Sequence, residues 1–307
     1  MSLMRGTGHR GGDARAPQGG PVPLPLWLRA SSRVPLAAGY ALSDALAFIA
    51  AWFGFYRRAR VREQLRRCFP ELTPRALRRQ VRLCYRNTFD IVVELVRGAG
   101  LSADGIRARV AIDGLEPVRQ QLQRGQSVLL IGVHYANWEW MLLALSASLG
   151  HPLAAAYKPL HDAGPERLLK ILRARFGAEL VPAKDLLNDV IRRRDEVRAI
   201  ALVADQDPVS AELRHYTTFL GQETAFYMGA ELIARAAKLP VYVVLTRRVA
   251  RGRYRLTIES IATRDERPPQ GEIMERYARK AEALIREQPS DWLWLHRRWK
   301  TKKPVYG

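Results

Sequence analysis

Residues 127–140, SVLLIGVHYANWEW, decide how the chain is to be read. Val128 to Val133 is an apolar run of strand length, and MLLALSASLG, which follows Trp140, has the length and composition of a helix. The same change from short apolar run to helix-length segment recurs downstream. PLAAAY, AELVPA, RAIALVAD and LPVYVVLTRR alternate with PERLLKILRARF, KDLLNDVIRRR and AFYMGAELIARAAK. YRLTIESI reads as a further strand, and GEIMERYARKAEALIREQP as a closing amphipathic helix. Strands and helices alternating at this spacing predict an α/β fold with a mainly parallel central sheet flanked by helices.

In such a sheet ligands collect at the carboxyl ends of the strands, which is where His134 falls. Glu139 follows five positions later. On a regular helix that spacing turns the two side chains about 140° apart. The pair therefore works together only if His134 lies in the turn and Glu139 reaches back from the first helical turns. A carboxylate so placed fixes the imidazole tautomer and leaves the other ring nitrogen as a general base. The alternative is a half-buried histidine at a strand end with an unrelated surface glutamate. Asp205 and Asp207 stand at the end of another apolar run, AIALVA, and either hold an arginine, line a pocket, or serve as turn and cap residues.

The front of the chain differs. Residues 1–22 are rich in Gly and Arg and too poor in apolar side chains to offset the entropy of ordering, so a disordered tail is expected. Gly6, Gly8 and Gly11 fit a G-x-G-x-x-G pattern, but no strand precedes them and no apolar helix follows, which excludes a dinucleotide loop. From Val34 to Tyr56 the only charge is Asp44; a helix of that length runs about 34 Å, enough to cross a bilayer. Trp52, Phe53, Phe55 and Tyr56, followed by Arg57, Arg58, Arg60 and Arg62, resemble an interfacial belt with a basic flank on the cytoplasmic side. Three readings stay open for this segment: a spanning anchor, a helix lying in the membrane interface, or a core helix. Residues 61–97 read as two helices separated by CFPELTP, with Thr73 as the cap of the second.

Fifty basic residues against 30 acidic ones give a formal charge of +20, which calls for an anionic partner. The arginines are spread over amphipathic segments and no nucleic-acid reader motif occurs, so nucleic acid is not expected. Cys68 and Cys84 lack metal or redox spacing and read as reduced thiols. No metal or cofactor is expected. Also missing are a G-x-S-x-G elbow, a P-loop and H-E-x-x-H. A base without a protein nucleophile implies that the base activates a substrate hydroxyl. SDWLWLHRRWK, residues 290–300, either meets lipid headgroups with its Trp and Arg side chains or packs its Trp and Leu side chains inside. A membrane scaffold without catalysis is the rival from another class.

Read in order, QLRRCFPELTP, HYANWE, YKPLHDAG, RARFGAELVPAKDL, ADQDPVS and LWLHRRWKTK resemble the late acyltransferases of lipid A biosynthesis, within the H-x4-D/E acyltransferase superfamily. The resemblance runs from about Trp27 to Lys302. It implies a glycerol-3-phosphate acyltransferase-like fold, with a membrane-anchor region at 23–60 and an acyltransferase domain at 61–307. It further implies residence on the cytoplasmic face of a bacterial inner membrane. The implied donor is an acyl carrier protein thioester and the implied acceptor a hydroxyl of a membrane glycolipid, the lipid A precursor. His134 becomes the base, Glu139 its orienting partner and Arg175 the oxyanion or phosphate ligand. Lys158, Arg173, Asp205 and Asp207 become substrate-binding residues. Lys158 departs from the arginine common in the family, and HDAG from its Asn-Pro, which opens the acceptor to other lipids or polyene pigments.

Overall fold

The computed structural model describes residues 24–52, 57–208 and 213–300. The expected tail at 1–22, with its glycine pattern, lies outside the described residues, as do residues 53–56 of the apolar segment. Four helices open the chain: α1 (Leu26–Ser31), α2 (Leu36–Trp52), α3 (Arg58–Cys68) and α4 (Pro74–Ala99). The α/β part follows as α5 (Ala103–Arg107), β1 (Val110–Asp113), α6 (Leu115–Gln123), β2 (Val128–Gly132), α7 (Trp138–Ser148), β3 (Leu153–Tyr157), α8 (Ala163–Arg173), β4 (Ala178–Pro182), α9 (Leu186–Arg192) and β5 (Ala199–Val203). It closes with β6 (Arg214–Phe219), β7 (Gln222–Tyr227), α10 (Gly229–Ala237), β8 (Val241–Ala250), β9 (Arg253–Ala262) and α11 (Glu272–Glu287).

Seven strands form one sheet in the order β1-β9-β8-β2-β5-β3-β4. Every pairing is parallel except β8 with β9. The sheet is thus mainly parallel, as the alternation predicts. β2 is central and all five of its residues are buried, which is why it reads as an unbroken apolar run. α7 packs with α4, α5 and α8, while α10 packs with α9 and α11. The sequence reading did not anticipate the separate hairpin of β6 and β7. Its turn places Leu220 and Gly221 at φ 52° and 72°, and the left-handed leucine hides the turn from a search for Asn-Gly or Asp-Gly. The helix expected from Ala225 consequently begins at Gly229, after Ala225–Tyr227 have been used as strand.

The N-terminal helices are fastened to the sheet by buried polar groups. Glu94 of α4, fully buried, accepts from Tyr40 Oη (2.7 Å), Asn137 Nδ2 (2.6 Å), Gly252 N (3.0 Å) and Tyr254 Oη (2.5 Å). Asp90, one turn earlier, accepts from Ser43 Oγ (2.6 Å) and from both Nε (2.9 Å) and Nη2 (2.7 Å) of Arg251. Arg251 also grips Asp44 of α2.

The spanning-anchor expectation finds no support among the described residues. α2 has 17 residues, about 25 Å of helix. Among the described residues no helix is long and apolar enough to cross a membrane. The residues that weakened the apolar run, Ser43 and Asp44, are its links to Asp90 and Arg251. α2 still exposes Leu42, Leu46, Phe48 and Ile49, and Leu26, Trp27 and Val34 before it are exposed as well. An apolar groove of about 300 Å³ runs between α2 and α4, lined by Leu36, Leu42, Leu46, Phe89, Val92 and Val96.

Removing the Glu94 carboxylate leaves four donors without an acceptor. Glu94→Ala is expected to cost roughly 3 to 5 kcal/mol in urea unfolding, the range for breaking a buried charged network. A loss below about 1 kcal/mol would show that the N-terminal helices are held by apolar packing instead.

Candidate active site

The site is built by two neighbouring parallel strands that end together. In the register of β2 against β5, Gly132 stands opposite Val203. His134 and Asp205 each lie two positions further on, so matched strand ends bring them side by side. His134 Nδ1 lies 2.7 Å from Asp205 Oδ1, and the backbone N–H of His134 donates to the same oxygen at 3.1 Å. The other carboxylate oxygen, Oδ2, accepts from Trp292 Nε1 at 2.7 Å. The outgoing connections of the two strands leave in opposite directions, β2 towards β3 and β5 towards β8.

The turn after β2 is tightly drawn. Tyr135 N bonds back to Val133 O (2.7 Å), and Ala136 is forced to φ 52°, a left-handed conformation that costs a residue with a Cβ about 1 kcal/mol. Ala136 N is tied to Asp291 O at 2.8 Å, which helps hold the strained residue. Asn137 then caps α7, accepting from Trp140 N at 2.8 Å while donating to Glu94. The turn that carries His134 is therefore joined directly to the network that secures the N-terminal helices.

The pairing of carboxylates differs from the expected one. Glu139 does face the site from the first turn of α7, but its partner is Arg173, not His134. Arg173 Nε donates to Oε2 (2.9 Å) and Nη2 to Oε1 (2.6 Å), a two-point fork, and Trp138 Nε1 donates to Oε1 (3.0 Å). Trp138 sits edge-on to the His134 ring at 5.3 Å and so touches both groups. The carboxylate beside His134 is that of Asp205, which was expected to hold an arginine, line a pocket, or serve as a turn or cap residue. Arg175, the expected oxyanion ligand, is turned away: its Nε and Nη2 donate to Leu101 O at 3.3 and 3.2 Å. Two residues after Arg173 the helix has ended, and the guanidinium points to another element. Lys158 is exposed just beyond β3, on the same carboxyl edge. Asp207 has its side chain against Arg298 (3.6 Å) and its N–H on His296 Nε2 (3.2 Å), within the C-terminal segment rather than facing outward.

The electrostatics favour a charged Asp205. Burial on its own raises the Asp205 carboxyl, but the His134 ring and the N–H donors of His134 and Trp292 outweigh it and hold the group down to about 2. On the far side of His134, Gln206 Nε2 lies 3.4 Å from Nε2. Arg298 is buried against the Phe226 ring at 4.6 Å, and burial lowers its guanidinium to about 10 against the pull of Asp205 and Asp207. Among the described residues no cluster of three His, Cys, Asp or Glu side chains is placed to hold a metal. Cys68 and Cys84 are buried free thiols, Cys68 pushed up to about 12 by burial. In SDWLWLHRRWK the inward-packing reading holds for Trp292 and Trp294, 4% and 0% exposed. Sequence reasoning missed Trp292 and Gln206 as members of the site. Gln206 was visible as the residue between two singled-out aspartates; nothing in the sequence pairs Trp292 with Asp205.

Burial lowers His296 from its ordinary 6.5 to about 4. Between those values the unfolded chain binds a proton that the folded chain refuses. Its contribution is therefore present above pH 6.5 and is lost as the pH falls towards 4. The thermal midpoint of the wild type should drop more steeply across this window than that of His296→Gln, and equal slopes would mean that His296 is protonated alike in both states.

Comparison with known proteins identifies the family. A family model described as bacterial lipid A biosynthesis acyltransferase matches residues 26–301. The chain is 24% identical over 290 residues to the lipid A biosynthesis lauroyltransferase of Escherichia coli K12, covering 90% of this chain and 89% of the relative. It is 23% identical over 250 residues to the lipid A biosynthesis palmitoleoyltransferase of the same organism, covering 80% and 79%. A lipid A biosynthesis acyltransferase of Shigella flexneri matches to the same extent. The match takes in both strand ends that carry the histidine and its aspartate, and the chain belongs to the bacterial lipid A biosynthesis acyltransferase family.

Proposed function

We propose that the protein transfers a fatty acyl chain from an acyl carrier protein thioester to a hydroxyl of a lipid A precursor, with His134 as general base. The observation that carries this reading is the Nδ1 contact to Asp205 at 2.7 Å, which leaves Nε2, with Gln206 as its neighbour, to meet the substrate hydroxyl. The acceptor hydroxyl gives its proton to Nε2 as its oxygen attacks the thioester carbonyl. Asp205 stabilises the imidazolium so formed. The tetrahedral oxyanion then collapses, the carbon–sulfur bond breaks, and the leaving thiolate takes the proton back from Nε2, so no covalent acyl-enzyme is required. Arg173 is the cation best placed for the oxyanion. Its Nε and Nη2 are fixed on Glu139, which aims the rest of the fork, and a preorganised donor of this kind is worth roughly 2.7 to 4 kcal/mol. Lys158 serves as a phosphate contact on the same edge.

The membrane is met through α1 and α2, whose exposed Leu26, Trp27, Leu42, Phe48 and Ile49 suit an interfacial position better than water. The excess of positive charge draws both anionic headgroups on the cytoplasmic face of the inner membrane and an acidic carrier protein.

The test incubates purified protein with acyl carrier protein thioesters and a tetra-acylated lipid A precursor, and reads product masses. One acyl mass should be added by the wild type. His134→Ala should lose a factor of about 10² to 10⁴, and Arg173→Lys should lose kcat because Lys lacks the fork. Near wild-type transfer by His134→Ala would remove the base. Transfer only to another lipid or pigment would keep the chemistry and overturn the acceptor.

A further inference from the structure

The C-terminal segment after α11 is laid directly across the catalytic turn. Asp291 O accepts from Ala136 N (2.8 Å), Leu293 N donates to His134 O (3.1 Å), and Trp292 forms an isolated antiparallel bridge with Tyr135. These bonds fix the backbone of residue 292 relative to His134. The Trp292 side chain then crosses to the other strand end and puts its indole N–H on Asp205 Oδ2 at 2.7 Å. Its ring is clamped edge-on by Phe219 (5.9 Å), Trp294 (4.7 Å) and Trp299 (6.0 Å), and only 4% of the residue is exposed.

A carboxylate held at one oxygen alone can turn about its Cβ–Cγ bond. Asp205 Oδ1 accepts the two bonds from His134, ring and backbone, so with Oδ2 unheld the orientation of the histidine and of its partner would drift together. The indole N–H supplies the second point. It donates without accepting and cannot change protonation state, so it favours the ionised carboxylate at every working pH.

We propose that Trp292 is a positioning residue of the reaction: its N–H locks the plane of Asp205 and thereby the tautomer and aim of His134. The proposal rests on the reading of His134 as the base. The C-terminal segment is on this account part of the catalytic apparatus, and its tryptophans are not there for lipid. Losing the N–H concentrates charge on Asp205 and makes the histidine beside it a stronger base, which moves the acid limb of the pH profile upward.

The experiment compares kcat, KM and the pH profile of kcat/KM for wild type, Trp292→Phe and Trp294→Phe. Trp294 Nε1 bonds Pro289 O (2.6 Å) in the same aromatic cluster and has no contact with Asp205. Trp292→Phe should lower kcat about tenfold or more, leave KM within roughly twofold, and raise the acid limb by about half a unit or more. Trp294→Phe should leave the acid limb in place. If Trp292→Phe unfolds, replacement of Trp292 by β-(3-benzothienyl)alanine keeps the bicyclic shape and removes the N–H, and the same shifts are expected. A folded variant lacking this N–H but keeping wild-type kcat and acid limb overturns the proposal even if His134→Ala is inactive. An active His134→Ala would overturn the base assignment, and the proposal with it.

Discussion

The hydrogen bond between His134 Nδ1 and Asp205 Oδ1 is the constraint around which the molecule is arranged. Neither residue is close to the other in sequence. They meet because β2 and β5 are adjacent, parallel and in a register that ends both strands at the same level. A shift of one residue in that register would turn one of the two side chains to the opposite face of the sheet. The fully buried β2 makes such a slip costly, because it would also misplace every core side chain of the strand. The packing of the sheet is thus what sets the precision of the His134–Asp205 contact.

Around this pair the protein spends many buried polar groups on stiffness. Ala136 is kept in a left-handed turn by its tie to Asp291, and Asn137 is shared between the cap of α7 and the carboxylate of Glu94. Glu94 in turn holds Tyr40 of α2 and the turn between β8 and β9. An unbroken series of hydrogen bonds therefore runs from a helix with an exposed apolar side to the residue next but two from the base. In an enzyme proposed to act on a membrane lipid, this fixes the height of His134 relative to the helix proposed to lie in the interface. The membership of the chain in the lipid A biosynthesis acyltransferase family gives that geometry its purpose.

Much of the fold could be read from alternation. The strand runs around Leu129, Ala155, Leu180, Ile200 and Val243 all belong to the sheet, and His134 and Asp205 were placed at strand ends on this basis. What could not be read was who partners whom. The five-residue spacing of His134 and Glu139 invited a local pair, whereas strand order gave His134 to Asp205 and freed Glu139 for Arg173. Arg173 and Arg175 differ only in where α8 stops, and helix ends are the least legible feature of a sequence. The apolar stretch at 34–56 left three readings open for a related reason. Hydropathy counts side chains but does not show that Ser43, Asp44 and Tyr40 face α4 and Arg251. The indole of Trp292 was equally opaque, since an aromatic ring suits a core or a headgroup layer and its single N–H acquires meaning only from what lies 2.7 Å away.

The central claim is that Asp205 holds His134 with its proton on Nδ1 and its lone pair on Nε2. Nitrogen NMR of protein labelled with ¹⁵N-histidine, with the His134 signal assigned by its loss in His134→Gln, reads that tautomer directly at neutral pH. The account predicts a one-bond proton coupling on Nδ1 and an acceptor-type shift on Nε2, converting to a mixture or to the other tautomer in Asp205→Asn. A wild-type His134 protonated on Nε2, or one whose signal is indifferent to Asp205→Asn, would contradict it.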